Sequence, residues 1–181
     1  MKLFEETTAR KDIFDGRIIS VHVDDVLLEN GEPAKREVVD HPGGVSVAVL
    51  TENDELILVK QFRYPYKEVL LELLAGKLER GEDPFEAAKR EQLEETGTTG
   101  KDYVSLGELY PTPGYCGEII RLWACRIDTA GEAAPDADEF IESVRIPITK
   151  AVEMVLNNEI KDAKTQIGIL KTAKLLEDKK I

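Results

Sequence analysis

The chain has 181 residues, 42% of them hydrophobic, which suits one domain with a sizeable core and a small extra subdomain. Acidic residues outnumber basic ones by 36 to 24, a net charge of −12 that argues against nucleic acid or an anionic membrane as partner. Cys116 and Cys125 make no disulfide framework and have no metal-ligand spacing. With no signal peptide and no apolar run near about 18 residues, a soluble, cytoplasmic protein with reduced thiols is expected.

Residues 8–13, 16–28 and 36–40 read as extended segments. The middle one alternates through Ile19, Val21 and Val23, then Val26 and Leu28, and Asn30-Gly31 is a hairpin signal. Such a small antiparallel sheet is marginal in water and must pack on the body of its own chain or on a partner subunit. His41-Pro42-Gly43-Gly44 breaks the chain, separating an N-terminal β-arm (1–40) from a larger domain (41–181). There, residues 45–51, 56–61, 69–74, 103–110, 118–126 and 141–147 read as strands. Residues 84–96, 149–158 and 161–177 read as helices, the last two with apolar faces carrying Ala151, Val155, Ile167 and Leu170. Residues 111–114 and 130–137 read as loops. This order predicts an α/β (α+β) fold, a mixed β-sheet sandwiched between helices, with the N-terminal antiparallel β-subdomain attached.

The stretch from Gly76 to Thr98 concentrates the chemistry. Asp83 has the character of an N-cap, Pro84 fits the first helical position, Glu86 stands three residues past the cap, and Gly97 can end the helix in the left-handed region. Glu91, Glu94 and Glu95 fall at i, i+3, i+4, within a sector of roughly 100°. Like charges so placed repel, whereas a hard divalent cation such as Mg²⁺ binds carboxylate oxygens and reverses the sign. The bland alternative is a solvated acidic helix face; the fixed company of Gly76, Glu82, Arg90 and Gly97 weighs against it.

The spacing G-x5-E-x7-R-E-U-x-E-E-x-G-U, with U apolar, resembles the Nudix box of diphosphate hydrolases, at Gly76, Glu82, Arg90, Glu91, Glu94, Glu95 and Gly97. Gln92 and Thr98 depart from it, standing where apolar residues are usual, and Leu93 is expected to supply some of the missing burial. Beyond the box, the loop ending in Glu118, with Pro113 and Gly114, and the segment 158–165 resemble the ADP-ribose diphosphatase subfamily. So do Arg36 and Arg63. The resemblance runs from Lys11 onward, with Leu74 where a proline is common.

The resemblance implies Mg²⁺-dependent hydrolysis of a nucleoside diphosphate sugar, ADP-ribose first, to AMP and ribose 5-phosphate. It implies two or three Mg²⁺ (Mn²⁺ as alternative) held by Glu91, Glu95, the Ala75 carbonyl and Glu94, with Arg90 orienting Glu82 and the helix carboxylates. It also implies contacts to substrate from Arg36, Arg63, Glu118, Pro113 and Gly114, and a homodimer joined through the β-arm. Glu139, with Asp136 and Asp138 behind it, is the expected base or metal contact, since Ala137 occupies the position of the usual glutamate. The competing readings are a hydrolase of another nucleoside diphosphate sugar, an ADP- or GDP-linked hexose, and a non-catalytic sensor of such ligands. A surface charge is the plain alternative for each arginine, and a solvated acidic loop for 136–142. Tyr64, Tyr66 and Tyr115 could stack on a base, with core or rim packing as the alternative; His22 and His41 show no partner spacing.

Overall fold

Three strands, β1 (Glu6–Asp15), β2 (Ser20–Leu27) and β3 (Pro33–Asp40), pair antiparallel in the order β1-β2-β3. The computed structural model describes residues 3–134 and 140–181. The three strands belong to one of two units, Met1–Gly43 with Tyr110–Ile119; the other is Gly44–Leu109 with Ile120–Ile181. The loop 110–119 joins the arm because Val39 N–H donates to the Tyr115 carbonyl at 2.8 Å and Gly117 N–H to the Val39 carbonyl at 2.9 Å. Strand pairing also gives His22 neighbours that its local sequence hides: its buried ring lies 2.8 Å from Asp24 and 3.5 Å from Asp40. Every residue of β1 is exposed.

The second unit is built on a seven-stranded sheet: β4 (Gly44–Leu50), β5 (Glu55–Arg63), β6 (Glu68–Glu72), β7 (Leu74–Lys77), β8 (Thr98–Leu109), β9 (Ile120–Ala130) and β10 (Ile141–Pro147). The main order is β10-β5-β4-β9-β8, with β6 added to β5 and β7 to β4. Only the β4–β9 pairing among these is parallel. Period-2 alternation on the buried strand β4 sends Val45, Val47 and Val49 to one face, against Ala87 and Ala88 of helix α1 (Pro84–Thr96). Ala48 and Leu50 point the other way, into a cluster with Ile148, Ala151 and Val155 of α2 (Ile148–Leu156) and Ile169 of α3 (Ala163–Glu177). At roughly 1.5–3 kcal/mol per buried aliphatic side chain, these two faces are the main stabilising term. Helices cover both sides of a mixed sheet.

The single strand expected over 69–74 is two strands. Residues to Glu72 pair with β5, and from Leu74 the chain crosses to β4. This change of sheet partner carries Ala75 and Gly76 alongside α1. Strand β8 starts earlier than residue 103, directly after the helix, because Gly97 (φ 65°) takes the left-handed conformation and reverses the chain. The cap at the other end holds too: Asp83 accepts from the N–H groups of Phe85 and Glu86 at 2.9 and 3.1 Å. Glu86 itself turns to Lys89 at 2.8 Å, so the reciprocal half of the capping box is not made. Among the described residues no helix is long and apolar enough to cross a membrane.

A Cβ on Gly97 would stand 2.5 Å from the Gly131 carbonyl oxygen, in a backbone conformation that L side chains resist. Gly97→Ala should lower unfolding free energy by at least about 1 kcal/mol. The reading is a shifted urea midpoint at constant slope; an unmoved midpoint would refute the left-handed cap.

Candidate active site

The acidic face of α1 lies on strand β7. Glu91 and Glu95 are both nearly buried. The Glu91 carboxyl occupies the space that a Cβ on Gly76 would need, so any larger residue there would push it aside. One residue earlier, Ala75 N–H donates to Glu95 Oε2 at 3.3 Å. Backbone and carboxylates therefore meet with nothing but hydrogen between them.

Arg90 organises the outer part of this face. Its guanidinium forks onto Glu82 at 2.9 and 3.2 Å, while Nη1 lies 2.9 Å from oxygens of both Glu91 and Glu94. That single cation offsets repulsion among three carboxylates. The Glu82 contact comes first in holding the Arg90 proton more tightly than usual, and the same bond holds the Glu82 carboxyl below its ordinary range. Of Glu91, Glu94 and Glu95, Glu94 is the most open.

The segment leading into β7 is pinned at successive residues. Glu72 takes a fork from Arg63 at 2.6 Å on each oxygen and a further bond from Lys164. Leu73 N–H donates to Thr165 Oγ1 at 2.9 Å, and Ser46 Oγ donates to the Leu74 carbonyl at 2.7 Å. Asp162 caps α3, accepting from Thr165 N–H at 2.9 Å and from Lys164 Nζ at 3.0 Å. The rigidity that a proline at position 74 would supply comes instead from these bonds, with the Leu74 side chain buried under α1. Sequence reasoning missed Glu72 and Lys164. The signal was there: a charge inside the apolar run VLLELL has to be paired if the strand is buried.

Arg63 is thus already engaged, its Nε and Nη2 committed to Glu72. Arg36, in the first unit, forks onto Glu5 at 2.8 and 2.5 Å. Glu118 stands 3.7 Å from His41 Nδ1 in that same unit, which also holds Pro113 and Gly114. Tyr64, Tyr66 and Tyr115 are exposed, so core packing does not account for them. Glu139, Asp136 and Asp138 lie outside the described residues.

Among the described residues, no three His, Cys, Asp or Glu side chains already converge as a metal cage. The donor set nevertheless fits a hard divalent cation: carboxylate oxygens of Glu91, Glu94 and Glu95 on one helix face, beside a strand backbone kept open by Gly76. Nitrogen and sulfur donors take no part in it.

One expectation needs correcting. Leu93 does not compensate for the polar residue at 92, since it is half exposed, whereas Gln92 is fully buried. The Gln92 amide points into the α1–β8–β9 interface, where Tyr103 OH donates to its oxygen at 2.7 Å and its Nε2 donates to Thr98 Oγ1 at 3.1 Å. Cys125, on β9 beside it, has its thiol pushed up to about 12 by burial and stays protonated at neutral pH.

The Glu72 cluster makes stability depend on pH. Burial pushes its carboxyl up, but the Arg63 fork and the Lys164 ammonium outweigh burial and hold it below the usual range. A lowered carboxyl contributes stability above the unfolded-state value and loses it as pH falls through the folded one. Glu72→Gln should cost about 3 kcal/mol near neutrality, with the gap to wild type closing below about pH 5. Denaturant titrations across that range measure it, and parallel curves at all pH values would contradict the pairing.

Similarity to known proteins bears on the family. A NUDIX domain model matches residues 40–167, and a nucleoside diphosphate sugar hydrolase N-terminal domain model matches residues 5–39. The chain is 41% identical over 169 residues to the ADP-ribose pyrophosphatase of Bacillus subtilis, covering 92% of this chain and 91% of that one. It is 39% identical over 171 residues to a methanol dehydrogenase activator of Bacillus methanolicus, covering 93% and 92%. In fold it is similar to a crystal structure of an ADP compounds hydrolase, with a TM-score of 0.83 over 97% of this chain and 95% of that one at 20% identity. With its box glycine under Glu91 and its box arginine across Glu82, Glu91 and Glu94, the chain belongs to the Nudix hydrolase family.

Proposed function

We propose that the chain hydrolyses the diphosphate bond of ADP-ribose, giving AMP and ribose 5-phosphate. The observation that carries this reading is the apposition of Glu91 and Glu95 with Ala75 and Gly76, together with the 41% identity to an ADP-ribose pyrophosphatase along nearly the whole chain. A Nudix hydrolase works with a divalent ion; Mg²⁺, two or three per site and replaceable by Mn²⁺, is the identity proposed here. When bound, such an ion neutralises the diphosphate and makes water a usable nucleophile near neutral pH.

The chain's own residues set the geometry. Glu91, Glu95, Glu94 and the Ala75 carbonyl hold the ions. Arg90 keeps Glu82, Glu91 and Glu94 in place, a positioning role, because its bonds run to carboxylates. Arg63 donates two N–H groups to Glu72 and retains Nη1 for a phosphate oxygen. Arg36, Glu118 and the Pro113-Gly114 turn are proposed to receive the nucleoside end, which requires Arg36 to exchange Glu5 for the ligand. Glu139 is the proposed base or further ligand. A net charge of −12 repels a polyanionic substrate, and metal ions or a local basic patch must offset that repulsion.

A second reading, another nucleoside diphosphate sugar as substrate, is favoured by the match of residues 5–39 to an N-terminal domain named for such hydrolases. The β-arm is proposed to join two copies: β1 is exposed along its length, with Phe4, Ile13, Phe14 and Ile18 open to solvent. A cytoplasmic location is proposed, in keeping with two cysteines that form no disulfide.

Glu95→Gln should lower turnover of ADP-ribose by on the order of 10³-fold with thermal stability retained. Chromatographic detection of AMP with Mg²⁺ present, across a panel of ADP- and GDP-linked sugars, reads both rate and preference. Wild-type rates in the variant would place the metal elsewhere, and no turnover on any member would favour a sensor. Sedimentation equilibrium should give twice the 20.2 kDa chain mass, and a single-chain mass would remove the dimer.

A further inference from the structure

The two positions at which the Nudix box departs from apolar residues, Gln92 and Thr98, meet in the structure and are fully or nearly buried. Together with Thr96 they form a closed ring of hydrogen bonds whose proton order is fixed. Thr96 Oγ1 lies 2.6 Å from the Gln92 main-chain carbonyl, which can only accept, so the Thr96 proton is committed there. Thr96 and Thr98 hydroxyls stand 2.7 Å apart, so Thr98 must donate to Thr96. Thr98 then has no proton left for Gln92, and its oxygen accepts from Gln92 Nε2 at 3.1 Å. Tyr103 OH, donating to Gln92 Oε1 at 2.7 Å, and the Cys125 thiol at 3.5 Å fix the same amide orientation from the other side. A flipped amide would leave two oxygens facing each other without a proton.

We propose that this ring positions the metal-binding carboxylates. Gln92 follows Glu91, Thr96 follows Glu95, and the ring ties both to β8 through Thr98 and Tyr103. An apolar seam at these positions resists separation but tolerates a small slide or roll of the helix, whereas directional bonds of 2.6–3.1 Å do not. The last turn of α1 is therefore held in rotation and along its axis, and with it the placement of Glu91 against Gly76 and Glu95 against Ala75. The inference rests on the metal reading above and adds to it the residues that set the aim of the carboxylates.

The test uses Mn²⁺ binding to the folded full chain, followed by electron paramagnetic resonance, beside kcat for ADP-ribose. Thr98→Ser keeps the ring and should match wild type. Thr98→Val removes the hydroxyl at constant shape and should raise half-saturating Mn²⁺ at least about threefold and lower kcat about tenfold. Gln92→Leu with Thr98→Val restores an apolar seam and should recover thermal stability while keeping the weakened Mn²⁺ binding, which separates positioning from support of the fold. It also serves if Thr98→Val alone fails to fold. Wild-type Mn²⁺ binding in the double variant would overturn the inference and leave the metal reading standing. A wild-type protein that binds no Mn²⁺ would overturn both.

Discussion

A helix face carrying Glu91, Glu94 and Glu95 is held against a strand that, at Gly76, has no side chain to keep it away. Glu91 fills the space over Gly76, and Glu95 accepts from the Ala75 amide. The remaining features of the second unit serve that contact. The sheet fixes β7 through β4, buried valines and alanines fix α1 over the same strand, and ionic and hydroxyl partners fix the residues between β6 and β7. Electrostatic cost concentrates at one place; Arg90 offsets part of it, and the proposed divalent ion would offset the rest.

Two polar arrangements hold the site from either end. At the entry to β7, Glu72 with Arg63 and Lys164 is an ionic cluster with Glu72 and Lys164 buried, and such clusters are costly when one member is removed. At the exit from α1, Gln92, Thr96 and Thr98 form a neutral ring. Directional bonds define position more sharply than apolar packing, which suits a site whose ligands must be placed to within a fraction of an ångström. Both arrangements bring α-helix and β-strand backbones into a fixed relation.

Local signals made part of this legible in the sequence. Asp83, Pro84 and Gly97 mark the ends of α1 because capping is a matter of neighbouring residues, and the helix runs over the expected thirteen positions. The spacing of Glu91, Glu94 and Glu95 fixes their common face for the same reason. What stayed hidden depends on partners far along the chain. Glu72 and Lys164 are 92 positions apart, and nothing near either one announces the other. Gln92 and Thr98 looked like two losses of apolar packing; only the path of β8 returning beside α1 shows them to be a pair. The break between β6 and β7 was also invisible, since the apolar run continues through a change of sheet partner.

The central claim is that the absence of a side chain at Gly76 lets Glu91 reach its working position. Gly76→Ala tests it most directly, because the added methyl meets the end of a flexible side chain, so the carboxylate moves while the sheet remains. Calorimetric titration of the folded variant with Mg²⁺ should show binding lost or weakened by on the order of a hundredfold relative to wild type. Unchanged Mg²⁺ binding in a folded Gly76→Ala protein would contradict the account.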